Sequence, residues 1–344
     1  MASAKDFRVI DADGHITEKD DQLRPYLEGA YRLRRDIYPI DHWDRGLGGT
    51  LGARAGDAKS WLEALDRGGV ESAILYPTGG IAFGWIREPE FAVALAQAYN
   101  DFLHQEFLQQ SPRLQGVALV PLQDVSEAVK ELRRAVSELK VAGAMLNAVG
   151  LRLPLGHPDY WPVYAEAERL GCMVAVHATV RGPHYFAGEL FDQFIEVHTL
   201  SHPFAQMIQM TSMVFRGVFE QFPNLRVAFM EAGCTWVPYW LDRMDEEWEL
   251  RAKVEAPLCL RKPSEYIRSG RVFVEAEGSE NLLPQVAELL PDGLFYASDY
   301  PHWDSSFPHN IEEITEREDL SPQLKQKILA DNACRMYSNL ASPD

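Results

Sequence analysis

The sequence predicts an α/β fold in which eight parallel strands close into a barrel surrounded by helices. Short apolar segments alternate with longer amphipathic segments, and repeated strand–helix units imply parallel strands joined by right-handed crossovers. The apolar segments are nearly continuous rather than alternating, as expected for strands covered on both faces. Eight such units favour a closed barrel over an open sheet. We therefore predict a distorted (β/α)8 TIM barrel, formed as a single domain by residues 1–344.

The predicted elements follow each other in strict order along the chain. The eight strands are short apolar runs that cover Phe7–Ile10, Ser72–Tyr76, Gly116–Val120, Gly143–Leu146, Met173–His177, Arg226–Met230, Arg271–Val274 and Leu294–Ala297. The helices show apolar residues at helical spacing and cover Ala58–Arg67, Glu88–Gln109, Val125–Leu139, Pro158–Leu170, Pro203–Phe222, Trp236–Val254 and Glu280–Leu290. A final helical pair covers Ile311–Glu318 and Ser321–Leu329.

Two long segments without a periodic pattern interrupt this alternation. The first, residues 18–57, follows strand one, and the second, residues 178–202, follows strand five. Both contain several aromatic residues, which is unusual for disordered segments. Because the active sites of such barrels lie at the carboxyl ends of the strands, we expect these loops to form walls of a substrate pocket. A packed surface loop or a dimer contact is the alternative interpretation.

The composition limits the kinds of partner. The formal net charge of -18, from 33 basic and 51 acidic residues, disfavours binding to nucleic acid and to anionic membranes, so we expect a small-molecule substrate. No apolar run approaches the roughly 20 residues needed to cross a bilayer, and the first residues do not resemble a signal peptide. The four cysteines form no CxxC pair. We expect a cytoplasmic protein that assembles as a homodimer or a larger homo-oligomer.

Residues that can bind a metal follow several predicted strands. Asp13 and His15 come after strand one, His177 ends strand five, and Asp299 follows strand eight. Asp13 and His15 are two residues apart, so an extended backbone points both side chains to one face. A closed barrel brings these strand ends together, and mixed carboxylate and imidazole ligands suit Zn, Mn or Fe. The sequence therefore predicts a divalent metal site, although Asp and Gly are also common in simple turns.

The chain resembles the amidohydrolase superfamily, in the amidohydrolase-2 branch that includes aminocarboxymuconate-semialdehyde decarboxylases and aromatic-acid decarboxylases. The resemblance is carried by Asp11-Ala12-Asp13-Gly14-His15, Gly217–Val227, Ala297–His302 and Asn332–Tyr337. It implies a barrel fold and a metal-dependent enzyme, and the four ligand positions of the family fall on Asp13, His15, His177 and Asp299. It does not decide the reaction, because the family contains both hydrolases and carbon–carbon lyases.

One position departs from the pattern of the decarboxylases. They typically carry an acid/base histidine at the end of strand six, where this chain has Glu231. A carboxylate has a much lower pKa than an imidazole unless it is buried, but it can bind or bridge a second cation. Binuclear relatives bridge their metals with a modified lysine on strand four, and this chain has Asn147 just after that strand. If two ions are bound, we expect Glu18 or Glu231 to bridge them.

These considerations give a set of predicted site residues with three roles. The metal ligands, for one or two ions, are Asp13, His15, Glu18, His177, Glu231 and Asp299. The catalytic residues are Asp299, Glu231 and His202, and the substrate contacts are Arg181, His198 and His302. Arg181 would bind a substrate carboxylate through a bidentate pair, with a solvated loop arginine as the alternative. Structural roles are the alternative for the three histidines outside the ligand set.

The leading hypothesis for the reaction is metal-dependent hydrolysis of a bulky or aromatic ester, thioester or amide. It follows from the missing strand-six histidine and the surplus of carboxylates, with a metal activating water and Asp299 accepting its proton. The second hypothesis is metal-dependent, non-oxidative decarboxylation of an aromatic or unsaturated acid. The third, disfavoured by the intact set of predicted ligands, is a relative without catalytic activity that keeps the fold as a binding module.

Overall fold

The computed structural model describes residues 7–39, 57–179 and 190–340, and within them eight parallel strands lie in sequence order β1 to β8. The strands cover Ile10–Ile16, Ser72–Pro77, Leu114–Leu119, Gly143–Asn147, Met173–His177, Val227–Met230, Val272–Glu275 and Leu294–Phe295. Seven consecutive parallel pairings join them. The predicted α/β barrel is confirmed.

Helices α1 to α13 connect and follow the strands. They cover Asp20–Leu23, Ala58–Gly68, Pro89–Leu103, Val125–Ser137, Trp161–Leu170, Phe194–Phe215, Val218–Gln221, Val237–Glu255, Pro263–Ile267, Leu283–Leu289, His309–Thr315, Pro322–Gln326 and Asn332–Met336. Short 3₁₀ segments lie at Arg24–Tyr26, Gly29–Leu33, Gly79–Trp85 and Pro158–Tyr160. None of the described helices is long and apolar enough to cross a membrane.

Among the predicted boundaries that differ from the structure, two concern the site. Strand β1 begins at Ile10 and includes Asp11, Asp13 and His15, whereas the apolar pattern placed these polar residues after the strand end. Helix α6 begins at Phe194, nine residues before Pro203, which lies inside the helix. Proline is favoured in the first turn of a helix, but Pro203 lies in the interior of this one. His198 and His202 are therefore one helical turn apart and not in a loop.

The barrel closes between β8 and β1 through individual contacts around the polar residues of β1. The backbone N–H groups of Ala12 and His15 donate to the carbonyls of Tyr296 (3.2 Å) and Tyr300 (2.7 Å). The N–H of Asp299 donates to the carbonyl of Asp13 at 2.9 Å. These bonds fix the segment after β8 beside the bulge that interrupts the β1–β2 pairing. They therefore bring residues 297–302 next to residues 11–15.

The buried carboxylate of Asp11 reinforces this closure. One of its oxygens accepts from the backbone N–H of Ser298 at 2.9 Å, and the other accepts from the Ser298 hydroxyl at 2.5 Å. At Gly14, a Cβ atom would lie 2.4 Å from the ring of Trp61, which is a residue of α2. Glycine is therefore required at this position for Trp61 to pack closely against β1. The Trp61 indole N–H also donates to the His15 carbonyl at 3.1 Å. Helix α2 thus packs directly on the segment of β1 that carries Asp13 and His15.

Candidate metal centre

Four predicted ligands converge at the carboxyl end of the barrel. Asp13, His15 and His177 are completely buried, and Asp299 lies just after β8 beside them. The His15 Nε2 atom is 3.5 Å from Asp13 Oδ1 and 3.3 Å from Asp299 Oδ1. The His177 Nε2 atom is 3.5 Å from Asp13 Oδ2. The remaining nitrogen of His177 donates to the Ala178 carbonyl at 2.8 Å, which leaves Nε2 directed at the cluster.

Glu231 lies at the centre of a group of four histidines. Its Oε1 atom is 3.2 Å from His15 Nε2 and 3.5 Å from His302 Nδ1. Its Oε2 atom is 3.6 Å from His202 Nε2 and 3.6 Å from His177 Nδ1. The residue has a left-handed backbone with φ of 52°, and its N–H donates to the Glu275 carboxyl at 2.5 Å. Glu275, at the end of β7, therefore stabilises the unfavourable left-handed backbone of Glu231. This backbone conformation directs the Glu231 side chain into the cluster.

Asp299 and His302 form the second half of the site. The Asp299 Oδ1 atom is 2.6 Å from His302 Nδ1, and Asp299 also has a left-handed backbone, with φ of 51°. The His302 ring lies against the His15 ring, with centroids 3.9 Å apart. On its other side, His302 Nε2 is 3.1 Å from the Thr78 hydroxyl. This imidazole therefore links the end of β2 to the aspartate that follows β8.

Burial and mutual charge perturb the acids and bases of this cluster. Burial raises the pKa of Asp13 to about 6, and burial together with the Glu231 charge raises the pKa of Asp299 well above its usual range. Burial opposes protonation of His177, but the charges of Glu231 and Asp13 outweigh it and raise its pKa to about 9. Burial lowers the pKa of His202 to about 4. Groups with shifts of this kind concentrate at functional sites.

The unsatisfied atoms of the cluster fit a divalent cation. Within the described part of the chain, no hydrogen bond of acceptable geometry is made by either oxygen of Asp13, either nitrogen of His15, His177 Nε2 or Asp299 Oδ1, although these atoms are buried and charged neighbours approach them to 2.6–3.5 Å. Buried polar atoms are normally paired, so this convergence needs an explanation. Candidate ligand atoms of Asp13, His15, His177 and Glu231 lie within 4.8 Å of one another, as do those of His15, Glu231, Asp299 and His302. The cluster is suited to a divalent metal ion.

A cavity of about 540 Å³ opens onto this cluster. Phe194, His198 and Trp303 form one wall, in which the Phe194 and His198 rings stack with centroids 5.1 Å apart. Acidic side chains form much of the rest of the described lining, namely Glu231, Glu275, Glu277, Asp299, Asp304 and Glu313. The volume suits a small substrate with one aromatic ring. His198 lies 3.7 Å from Asp304, at the cavity wall and away from the metal ligands.

Glu18 does not belong to the cluster, which corrects its predicted role as a metal ligand or bridge. Its two oxygens accept hydrogen bonds from the backbone N–H groups of Thr78 (3.0 Å) and Gly80 (2.9 Å). Asn147, at the position of the bridging lysine of binuclear relatives, donates to the carbonyls of Gly80 and Ile81 at 3.0 and 2.9 Å. Both side chains hold the turn after β2 and are occupied by backbone groups.

The structure thus brings most of the predicted site residues together. The ligand cluster and its immediate neighbours contain Asp13, His15, His177, His202, Glu231, Asp299 and His302, while His198 lines the cavity. Arg181 and most of the aromatic residues predicted as pocket walls after strand five lie outside the described residues. Thr78 was missed, although it lies only two residues beyond the predicted end of the second strand and directly follows the observed one. Asp11 was noted only as part of the motif, because an inward-facing carboxylate that binds backbone is indistinguishable in sequence from a ligand.

Comparison with known proteins identifies the family. Residues 10–338 match the amidohydrolase family Amidohydro_2, and the chain belongs to it. It is 27% identical over 292 residues to the 2-amino-3-carboxymuconate-6-semialdehyde decarboxylase of Dictyostelium discoideum, covering 80% of this chain and 77% of that protein. It is 28% identical over 281 residues to the gamma-resorcylate decarboxylase of Rhodococcus jostii (strain RHA1), covering 76% of this chain and 82% of that protein. The resemblance seen in the sequence is confirmed.

Solved structures agree on the fold. The 5-carboxyvanillate decarboxylase of Novosphingobium aromaticivorans, complexed with manganese and 4-hydroxy-3-methoxy-5-nitrobenzoic acid, superposes with a TM-score of 0.77. The superposition covers 96% of each chain at 19% sequence identity. At that identity the likeness concerns the fold.

The comparisons contradict hydrolysis as the leading hypothesis. This chain is an enzyme whose relatives at 27 and 28% identity are both decarboxylases. The hydrolase prediction was based on Glu231 replacing the usual histidine of strand six. In the folded chain, His202 and His302 both approach the Glu231 carboxylate, so imidazoles remain beside this position. The loss of one histidine from the sequence pattern did not remove imidazole from the site.

Proposed function

We propose that this protein is a metal-dependent, non-oxidative decarboxylase of a small aromatic or unsaturated acid. The observation that carries the proposal is the convergence at the cavity of buried side-chain atoms of Asp13, His15, His177 and Asp299 that make no hydrogen bond of acceptable geometry within the described residues. Two decarboxylases among its relatives, at 27 and 28% identity, support the reaction class. The cytoplasmic location and the homo-oligomeric state stay predictions from the sequence.

One ion per chain fits the ligand set better than two. The two candidate groups of ligands share His15 and Glu231, and His15 Nε2 can bind only one ion. Glu18, one of the two predicted bridges, is engaged by backbone N–H groups. Asp13, His15, His177 and Asp299 would hold the ion, with Glu231 as a further ligand or as a charged neighbour. When bound, the cation supplies positive charge that attracts the carboxylate and an adjacent oxygen of the substrate.

Side chains of the protein would donate the proton that the reaction requires and would then reprotonate the donor. Decarboxylation breaks the bond between the substrate carbon and its carboxylate, and the electron pair left on that carbon must accept a proton as carbon dioxide departs. Asp299 is the candidate donor because it borders the cavity and contacts His302 at 2.6 Å. His302 and Glu231, which are 3.5 Å apart, would return a proton to it between turnovers. His202 contacts Glu231 on the cavity side and would assist in this exchange.

The test is direct. Protein purified without chelator would be analysed for metal ions per chain and then assayed for carbon dioxide release from a panel of hydroxylated benzoic acids. We expect one ion per chain and release of one carbon dioxide for each acid consumed, abolished by chelation and restored by Mn²⁺ or Zn²⁺. Full turnover by metal-free protein, or two tightly bound ions per chain, would contradict this proposal. Ester, thioester and amide substrates would be assayed in parallel and should be unreactive.

A further inference from the structure

His302 contacts the candidate proton donor, yet it lies in the irregular segment that follows β8, where no regular pairing orients a side chain. Its orientation depends on what touches its ring. His15 stacks against one face, Asp299 contacts Nδ1, and the hydroxyl of Thr78 is 3.1 Å from Nε2. Of these, the bond to Thr78 ties the ring to a different strand and fixes which nitrogen faces Asp299. Rotation of the ring would break this contact.

Thr78 is itself rigidly placed. It is only 5% exposed, and its backbone N–H donates to the carbonyl of Ile16 at 2.9 Å and to the Glu18 carboxylate at 3.0 Å. Both contacts come from β1 and the residues that directly follow it. The end of β1, which carries the ligands Asp13 and His15, therefore also sets the position of Thr78.

The turn after Thr78 is held from two opposite sides. Glu18 accepts from the N–H of Gly80, while Asn147, at the end of β4, donates to the carbonyls of Gly80 and Ile81. A Cβ atom at Gly79 would lie 2.5 Å from the Tyr38 ring and 3.0 Å from Glu18, so the turn is also tightly packed. Side chains that satisfy the backbone groups of a turn in this way rigidify it. A turn that only connected two elements at the surface would not need these hydrogen bonds from Glu18 and Asn147 together with such close packing at Gly79.

We propose that Thr78 is a positioning residue that holds the His302 ring with Nδ1 directed at Asp299, and that Glu18 and Asn147 fix the turn that carries Thr78. The network runs from Glu18 and Asn147 to the backbone of the turn, from the Thr78 hydroxyl to His302, and from His302 to Asp299. The hydrogen bonds of Thr78 run to Ile16, Glu18 and His302, and none of them involves Asp13, His15, His177 or Asp299. Glu18, which the sequence predicted as a metal ligand, would instead influence Asp299 indirectly, through Thr78 and His302.

The decisive experiment compares Thr78→Val with Thr78→Ser. Valine keeps the branched shape of threonine and removes the hydroxyl, whereas serine keeps the hydroxyl and removes the methyl group. Because a single hydrogen bond is at stake, we expect Thr78→Val to lower kcat roughly fivefold to tenfold, with KM and metal content unchanged. Thr78→Ser should keep kcat within about twofold of the unmodified enzyme. Thr315→Val, at a buried threonine of α11 outside the cavity lining, serves as the matched control and should leave kcat unchanged.

Crystal structures of the two variants provide a readout independent of turnover. In Thr78→Val the His302 ring should rotate or lose its contact with Asp299, while in Thr78→Ser it should stay in place. Glu18→Gln should shift the turn and reproduce the Thr78→Val phenotype, since one amide N–H would then face a backbone N–H. The kinetic test rests on the proposed decarboxylase, but the crystallographic test does not. The inference fails if His302 is unmoved in Thr78→Val or if serine is as defective as valine.

Discussion

Two groups of polar side chains lie at the carboxyl end of the barrel and differ in how they are bonded. In the metal cluster, Asp13 and His15 are completely buried and leave side-chain atoms without hydrogen-bond partners. In the clamp around the turn of residues 78–81, Glu18 and Asn147 each contact two backbone groups. Both groups contain a carboxylate from the same short segment of sequence. The availability of lone pairs, and not the residue type, distinguishes a ligand from a structural residue.

The physical reason is the cost of burying polar atoms. A buried donor or acceptor without a partner costs roughly 1–3 kcal/mol, so a stable fold does not accumulate such atoms in one place without a compensating ligand. In the clamp, hydrogen bonds within the protein remove this cost. In the candidate metal cluster, a bound cation would remove it by binding the unsatisfied atoms. Each prediction below tests this difference, beginning with the largest expected effect.

Asp299→Asn removes the candidate proton donor while keeping the size of the side chain. We expect kcat for decarboxylation to fall about 10³-fold, within the range measured for the loss of an acid/base group. Carbon dioxide release under saturating metal is the measurement, and the thermal midpoint of the variant checks that it is folded. Retention of full turnover would remove Asp299 from the proton pathway.

His177→Gln tests the ligand set. Because His177 Nε2 is buried and directed at Asp13, its loss should weaken Mn²⁺ binding by more than about 100-fold, beyond the effect of losing a supporting residue. Titration followed by electron paramagnetic resonance gives the affinity. Asn147→Asp is the matched control from the clamp, and it should bind one ion with the affinity of the unmodified protein. Equal affinities for His177→Gln and the unmodified protein would contradict the assignment.

Chelation tests whether the cation stabilises the cluster. Since a ligand that binds only the folded state stabilises it by mass action, Mn²⁺ at 100 times its dissociation constant should add about 2.7 kcal/mol to the free energy of unfolding. Thermal or denaturant unfolding with and without the metal measures this difference. Because a 100-fold weaker affinity leaves this metal concentration near the dissociation constant of His177→Gln, that variant should gain no more than about 0.4 kcal/mol. An equal stabilisation of that variant would indicate binding elsewhere.

Asn147→Asp addresses the stability of the clamp. The variant replaces an amide that donates to the carbonyls of Gly80 and Ile81 with a carboxylate that can only accept, at a position that is 3% exposed. We expect the free energy of unfolding to fall by roughly 1–3 kcal/mol, the cost of unsatisfied buried groups. Denaturant unfolding of the metal-loaded protein is the measurement. An unchanged stability would show that the turn does not depend on this residue.

The smallest effect is expected at Glu166, a carboxylate that is paired with two exposed arginines. Hydrogen bonds from Arg169 and Arg133 lower the pKa of Glu166 from 4.5 to about 2. Its stabilising contribution is therefore present above about pH 4.5 and is lost as the pH falls towards 2. The difference in unfolding free energy between the unmodified protein and Glu166→Gln should shrink over that interval. Because both arginines are largely exposed, the difference is small at neutral pH.

Much of the fold was readable from local pattern. The fifth strand was predicted at its observed bounds, Met173–His177, because a parallel strand covered on both faces is a continuous apolar run. The first strand was misjudged for the opposite reason, since its inner face carries Asp11, Asp13 and His15 where a hydrophobic pattern expects apolar residues. Sequence patterns are least reliable where the fold places function in the core.

The sequence alone determined the barrel and the family and predicted four ligands, because each depends on residue types in a fixed order along the chain. The tertiary structure alone decided which carboxylates remain available. It placed Glu231 among four histidines, assigned Glu18 to backbone N–H groups and connected Thr78 to His302 across the barrel. Hydrogen-bond partners distant in sequence set these roles, and a single sequence carries no record of such pairings.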